Sequence, residues 1–321
     1  MIAYNPSRIN VGSVALQDEL PEVVVSPLYV VLSVDEKRLL PEYLLAFLKS
    51  GPGLAQIAFR STGTVRNNLR FETLCKLEMQ LPSVKVQRER VNLLAEIAKQ
   101  VKHLGKLRTS LDDLVKSQFV EMFGDGEWTS KTIGELATDI RYGTSKKATE
   151  CGKYTYLRMN NLTDDGKLAY DDVKYIDLSG DELEKCQVVD GDLLFNRTNS
   201  REKVGKTAVF HGDASMVIAG YIIRVRLGEE MRSDYLSVFM NLSTTKAMLR
   251  SIAKGAVHQA NINSKELAAI KVPVAPIELQ DRFLDFVARV DKLGFKQSLC
   301  YQATVSTSMQ GVMQYYPQAI P

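Results

Sequence analysis

The chain has 321 residues, 45% of them hydrophobic, and a formal net charge of +3. That length accommodates about two domains with substantial cores, and so small a net charge means that bulk electrostatics do not mark a nucleic-acid binder. No apolar run approaches the roughly 18 residues of a membrane span, the N-terminus lacks a signal-peptide pattern, and Cys75, Cys151, Cys186 and Cys300 have neither zinc-site spacing nor disulfide density; a cytoplasmic globular protein without a membrane role is expected.

The first signal along the chain is an internal repeat. "SPLYVVLSVDEKRLLPEYLLAFLKS" from Ser26 is echoed by "AGYIIRVRLGEEMRSDYLSVFMNLS" from Ala219. Tyr29 and Tyr43 pair with Tyr221 and Tyr235, and Phe47, Gly63 and Val65 pair with Phe239, Gly255 and Val257. After a one-residue slip, Asn68, Leu74 and Gln87 match Asn261, Leu267 and Gln280. Upstream, Asn5 matches Asn196 and Gly12 matches Gly205. Two copies with so long a period predict a duplicated domain rather than a solenoid.

Each copy runs into a helix. From Gln87 to Phe123 there is no proline, and Ile97, Leu104 and Leu111 fall seven apart with Leu107 and Leu114 in the other seam position. The second helix opens at Pro276-Ile277-Glu278 and carries Phe283, Phe286, Val290 and Leu293 along one face. Such a stripe is most often ordinary core packing, but its length and its place after a duplicated module predict a two-helix spacer.

Between the helices, 128–275 reads as a mixed α+β domain. The stretch 154–176 predicts two strands around Asp165-Gly166, 191–196 and 206–210 predict short strands, 216–227 one buried strand, and Ser233 to Ala253 an amphipathic helix. Charge within the domain is uneven. From Asp164 to Asp192 ten acidic residues stand against Lys167, Lys174 and Lys185, so this stretch is expected to face away from any polyanion. Beside it, Arg141, Lys146, Lys147, Lys153 and Arg158 meet only Glu150, and Arg197, Arg201, Lys203 and Lys206 meet only Glu202. These runs are the candidate phosphate and base readers. Glycine and small hydroxyls in "RYGTSKK" allow close backbone approach, Tyr142 offers a planar face, and arginine and asparagine in "NRTNSR" match guanine and adenine edges.

Together "TIGELATDIRYGTSKK", "YTYLRMNNLTDDG", "VVDGDLLFNRTNS", "KVGKTAVF" and "GAVHQANINSKELAAIKVPVAPIELQ" resemble a target-recognition domain and its following helix in the specificity subunit of type I restriction-modification systems. The resemblance covers Lys131 to about Leu293, and the repeat extends it to residues 1–123. It implies an α+β chain: target-recognition domains of mixed α/β structure separated by long antiparallel coiled-coil-like helices. The expected division is 1–84 a partial first recognition domain, 85–123 a spacer helix, 128–275 a complete second recognition domain, 276–313 a second helix and 314–321 a tail. The counterpart of 131–191 is missing from the first copy, which is therefore expected to be the C-terminal half of a domain.

The expected DNA-binding residues are Arg141, Tyr142, Thr144, Lys146, Lys147, Arg158, Asn160, Arg197, Asn199, Arg201, Lys203, His258 and Gln259. Implied partners are double-stranded DNA, methyltransferase subunits, a restriction and translocase subunit, and either a second specificity polypeptide or self-association. No cofactor is expected on this chain. The resemblance assigns S-adenosylmethionine, ATP and magnesium to partner subunits. No glycine-rich cofactor loop with an Asn/Asp-Pro-Pro-aromatic tetrapeptide is present, and Asp172-Val173-Lys174 behind Asp164 and Asp165 reads better as a charged hairpin than as a nuclease centre. The rivals to a non-catalytic recognition subunit are a nuclease or modification enzyme acting alone and a coiled-coil interaction protein with no DNA role.

Overall fold

The computed structural model describes residues 1–17, 20, 22–61, 68–212, 216–256 and 259–294. They fall into two compact units, within Met1–Lys106 and Leu107–Lys296.

In the first unit, β1 (Ile2–Tyr4) lies between β2 (Val14–Leu16) and β3 (Val30–Leu32), both antiparallel to it. Strand alternation turns Ile2, Tyr4, Val14 and Leu32 to one face, where they meet Leu48 of α1 (Pro41–Lys49), Ile57 of α2 (Gly51–Arg60) and Leu69 just before the one-turn α3 (Phe71–Leu74). Proline at the start of α1 and α2 suits a first turn whose N–H groups lack partners, and the Ser50 hydroxyl caps α2 by accepting from the Gly53 N–H at 3.2 Å. The proline-free stretch forms α4 (Val84–Phe123), 40 residues without a break.

In the second unit β4 (Thr129–Thr132), α5 (Ile133–Leu136) and β5 (Ala137–Tyr142) are followed by β6 (Tyr154–Leu157), β7 (Lys174–Ile176) and α6 (Gly180–Cys186). Next come β8 (Leu193–Asn196), β9 (Thr198–Asn199), β10 (Thr207–Val209), β11 (Met216–Ile218), β12 (Ile222–Leu227), α7 (Ser233–Met240) and α8 (Ser243–Ile252). The strands β13 (Lys254–Ala256), β14 (Gln259–Asn261) and β15 (Lys271–Val274), with α9 (Ser264–Ala268) before β15, precede a helix over 277–294.

The central sheet runs β10-β8-β12-β5 and is buried on both faces, which is why "LLF" and "IIRV" carry no polar alternation apart from Arg224. One face holds Leu193, Phe195, Ile223 and Val225 against Tyr235 of α7, Phe119 and Phe123 of α4, and Phe283. Phe119 and Phe283 meet edge-on at 5.4 Å between centroids. The other face holds Leu194, Ala208 and Ile222 under Leu157, Leu162 and Val188, beside the layer β11-β6-β7.

Two local expectations are corrected. The stretch 216–227 is two strands in different sheets, because Gly220 turns the chain where its N–H donates to the Thr144 carbonyl at 2.7 Å. Gly143 permits this crossing: a Cβ there would lie 2.1 Å from the Ile218 carbonyl oxygen. The helix expected over Ser233 to Ala253 breaks at Asn241, whose buried amide donates to the Thr207 and Ser237 carbonyls. The two strands expected around Asp165-Gly166 are β6 and β7, antiparallel from Tyr154 opposite Ile176, with Asp165-Gly166 at the tip of the loop between them.

The spacer seam also shifts. Within the second unit Val115, Phe119, Met122 and Phe123 face the core, joined by Phe283, Phe286 and Val287, and Val290 is buried. Leu114 and Leu293 are instead 46% and 56% exposed. A straight α-helix drifts about 20° per heptad away from a strict seven-residue repeat, so the inward stripe leaves the Leu107–Leu114 line before the helix ends. Leu107 and Leu111 are half-buried, with Leu111 against Gly294. Ile97 and Leu104 are half-buried in the first unit, and the later part of the second helix lies outside the described residues.

The duplication is visible atom by atom. Sheet β2-β1-β3 repeats β10-β8-β12 with Ala3 standing where Leu194 does, Ala15 where Ala208 does and Val31 where Arg224 does. The β3 pairing is one residue further than the Tyr29–Tyr221 alignment, because the connection after β12 is one residue shorter. Gly12 and Gly205 share a left-handed backbone, φ +83 and +82. Gln87 and Gln280 are fully buried and make the same three bonds. The Gln87 Oε1 accepts from Leu40 N–H at 2.9 Å, and its Nε2 donates to the Arg38 and Pro82 carbonyls, each at 2.8 Å. The Gln280 Oε1 accepts from Arg232 N–H at 2.9 Å, and its Nε2 donates to the Glu230 and Ala275 carbonyls at 3.0 and 2.8 Å.

Candidate nucleic-acid interface

Leaving β8, the chain places Arg197 at the entrance to the ribbon β13-β14-β9. Its backbone is fixed on both sides, donating to the Tyr221 carbonyl and accepting from the Ile262 N–H, each at 2.9 Å. The guanidinium carbon lies 4.7 Å from the centre of the Tyr142 ring, a cation–π stack. Tyr142 is anchored in turn, its hydroxyl accepting from the Ser264 N–H at 2.7 Å. The Arg197 Nε is buried without a partner among the described residues. The Tyr142 ring thus holds the guanidinium at one place beside the ribbon before any ligand arrives.

The ribbon brings further candidates together. Asn199 pairs with Ala260 in the ladder, its Oδ1 accepting from the Ser200 N–H, and Gln259 is exposed on the next strand. Lys203 is exposed. Arg201 braces the loop instead, donating to the Arg250 and Gly255 carbonyls at 3.2 and 3.3 Å, the first of them at the end of α8 where carbonyls lack helical partners. His258 lies outside the described residues. Tyr221, outside the expected set, is 54% exposed and joined to Arg197 through its carbonyl.

The first cationic run is arranged differently. Thr144 is buried, its hydroxyl donating to Glu182 at 2.7 Å, so it braces the loop rather than presenting a donor outward. Lys146 pairs with the same Glu182 at 2.5 Å, and that bond together with the Thr144 hydroxyl holds the Glu182 carboxyl below the usual range. Arg158 pairs with Asp172 at 2.9 Å and Lys206 with Asp164 at 2.8 Å. Three acids of the acidic stretch are thus paired with its flanking cations. Lys147 and Asn160 are exposed.

Arg141 belongs to a buried network. It stands opposite Arg224 in the β5–β12 ladder, and Asp139 bridges the two, bonding Arg141 at 2.8 Å and the 1% exposed Arg224 at 2.6 Å. Burial alone would raise the Asp139 carboxyl, but these arginines outweigh it and hold it below its ordinary value. Arg226 bonds the buried Asp192 at 2.8 Å. Arg141 thus shares Asp139 with the buried Arg224 while its own side chain stays 40% exposed. Among the described residues no group of histidine, cysteine, aspartate and glutamate is placed to hold a metal ion, and no helix is long and apolar enough to cross a membrane.

Comparison with known proteins gives the family. The family model for the type I restriction modification DNA specificity domain matches residues 125–297. The chain is 26% identical over 171 residues to a protein of Methanocaldococcus jannaschii assigned as the type I restriction enzyme MjaX specificity subunit, covering 52% of this chain and 40% of that relative. It is 23% identical over 279 residues to the type I restriction enzyme EcoKI specificity subunit of Escherichia coli, covering 80% of this chain and 59% of the relative. The chain therefore spans about half the length of these relatives. Among solved structures it is similar to a chain from work on complex assembly and conformational transition of the type I R-M system, with a TM-score of 0.53, 16% identity, and coverage of 96% of this chain and 77% of that one. That likeness extends the agreement in fold.

Proposed function

Because this chain belongs to the type I restriction modification DNA specificity family, we propose that it is the non-catalytic recognition component of a larger assembly, reading DNA sequence with its second unit while methyltransferase and restriction subunits carry out the chemistry. The observation that carries this reading is the Arg197 guanidinium stacked on Tyr142 at the mouth of the β9–β14 ribbon. An arginine fork held at that point suits the O6 and N7 acceptors of guanine in the major groove. Exposed Lys203 and Lys147 would then neutralise phosphates.

On this reading the second unit reads one half of a split target, the helices serve as scaffold for methyltransferase and restriction subunits, and S-adenosylmethionine, ATP and magnesium reside on those partners. The test has two arms. The pure chain mixed with DNA, magnesium and S-adenosylmethionine is expected to give no methylation or cleavage, and turnover above background overturns the non-catalytic assignment. Its retention on DNA is expected to fall steeply with salt and to depend on sequence; salt-independent or absent retention favours a protein-interaction scaffold.

A further inference from the structure

The two copies treat one asparagine differently. Asn196 closes β8 and is fully buried, and neither its Oδ1 nor its Nδ2 has a partner among the described residues. Its backbone is satisfied, the N–H donating to the Lys206 carbonyl at 2.8 Å and the carbonyl accepting from the Gly205 N–H at 2.9 Å. A buried primary amide without partners carries the full cost of its desolvation, which the rest of the fold must offset. The duplicate shows how such an amide is satisfied. Asn5, at the matching position and 7% exposed, forms a side-chain turn in which its Oδ1 accepts from the Ser7 N–H at 3.1 Å and from the Ser7 hydroxyl at 2.9 Å. The counterpart of Ser7 is Thr198, which has the same two donors. Its hydroxyl goes instead to the Asn261 Oδ1 at 3.1 Å, and its backbone is paired with Asn261 in the β9–β14 ladder. The pivot is common to both copies: the Pro6 carbonyl accepts from the Leu69 N–H and the Arg197 carbonyl from the Ile262 N–H, each at 2.9 Å.

We propose that the segment Thr198–Gly205 has two settings and that Asn196 is the positioning residue that balances them. In one setting Thr198 belongs to the ribbon and the Asn196 amide is unsatisfied. In the other, Thr198 turns about the Arg197 carbonyl, gives its N–H and hydroxyl to the Asn196 Oδ1 as Ser7 does to Asn5, and leaves β14. Hydrogen bonds are traded for hydrogen bonds, because the amide gains two donors while the pairs Thr198–Asn261 and Asn199–Ala260 are given up. Such an equilibrium moves with any ligand that grips one setting better than the other. Asn199 and Lys203 ride on this segment, whereas Arg197 is held outside it by Tyr142 and Ile262. On the function proposed above, on which this step rests, DNA that touches Arg197, Asn199 and Lys203 together selects the ribbon setting. Recognition is then coupled to closing the ladder.

Amide hydrogen exchange of the full chain reads the two settings. The ribbon amides of Thr198–Asn199 and Gln259–Asn261 are expected to exchange much faster than those of Leu193–Phe195 in the adjoining β8. Asn196→Leu keeps the volume but removes both the unsatisfied amide and the acceptor of the turned setting, and is expected to slow the ribbon amides about fivefold. Asn261→Ala takes away the acceptor of the Thr198 hydroxyl and is expected to speed them by a similar factor. A purely structural asparagine would give faster exchange in both variants. Ribbon amides as slow as those of β8 in the unsubstituted chain overturn the proposal, and so does a folded Asn196→Leu chain that exchanges no more slowly; Asn196→Ala repeats the measurement should the leucine variant not fold. Sequence-specific duplex DNA is expected to slow the ribbon amides further. Bound duplex that leaves them unchanged overturns the coupling, whereas variants that behave as expected with no duplex retained at any salt concentration count against the proposed function alone.

Discussion

The Arg197 guanidinium carbon lies over the Tyr142 ring, 4.7 Å from its centre, and the tyrosine is itself tied to Ser264. Three separate segments therefore hold one arginine fork in place. Arg197→Ala is expected to relax preference at one base position and cost about 1–3 kcal/mol of discrimination, Tyr142→Ala to lose part of that, and Tyr142→Phe less still. Lys203→Ala is expected to weaken all sequences alike and reduce the salt slope by about one. Selection from a randomised duplex library at two salt concentrations measures both. Unchanged preference and slope across these variants remove the ribbon from the interface.

Gln280→Ala deprives the Arg232 N–H and the Glu230 and Ala275 carbonyls of their partner in a fully buried setting. A buried group left unpaired costs about 1–3 kcal/mol, and water entering the vacated space recovers a share. A urea midpoint lowered by the equivalent of a few kcal/mol is expected. Gln87→Ala should act likewise on the first unit, and near-native midpoints for both variants would show the clamps to be dispensable.

The seam shift separates two leucine-to-charge and aromatic-to-small changes. Phe119 is buried against Tyr235 and Phe283, so Phe119→Ala is expected to cost about 3–5 kcal/mol through lost contacts and a cavity. Leu114→Asp, at an exposed position, is expected to stay within about 0.5 kcal/mol of wild type. Thermal unfolding of the two variants decides it, and the reverse order would restore the seven-residue seam.

His211 gives stability a pH dependence. Burial alone would lower its imidazole, but the hydrogen bond and charge of Asp234, 2.9 Å away, and of Asp190 at 3.4 Å raise it above its ordinary value. A raised folded pKa stabilises where the unfolded histidine is also charged, below about pH 6.5, and that contribution disappears as pH rises through the folded value. The ring is partly exposed, so the effect is screened and small. The melting temperature lost by His211→Gln is expected to be larger at acidic than at alkaline pH. An equal loss at both would show that His211 acts through packing alone.

Some of this architecture was legible in the residues because its cause is local or repeated. The long proline-free run gave α4, and matching glutamines and glycines gave the duplication, since a buried three-bond amide and a left-handed turn each tolerate few residue types. The division of 216–227 was not legible, because it depends on Gly143, which is distant in sequence and makes room for the crossing backbone. Similar reasons hid the fate of the first cationic run. Nothing adjacent to Thr144 or Lys146 announces that Glu182 of α6 will be folded against both. Arg197 and Gln259 are candidates from charge and side-chain type alone, whereas the contact that holds Arg197 needs Tyr142 to be delivered by another strand.

The two glutamine clamps have a consequence for exchange of segments between related genes. Each fastens the fourth residue of a helix to the residue just ahead of that helix and to the connection after the module's third strand, so the rotational phase of that helix is dictated by its own module rather than by whatever it later packs against. A crossover placed beyond the clamp carries domain and phase together as one cassette, and the apolar stripe of the transplanted helix arrives already facing the right way. A crossover placed before Gln87 or Gln280 separates the amide from the carbonyls it was matched to, and the recombinant inherits a helix with no fixed zero of rotation.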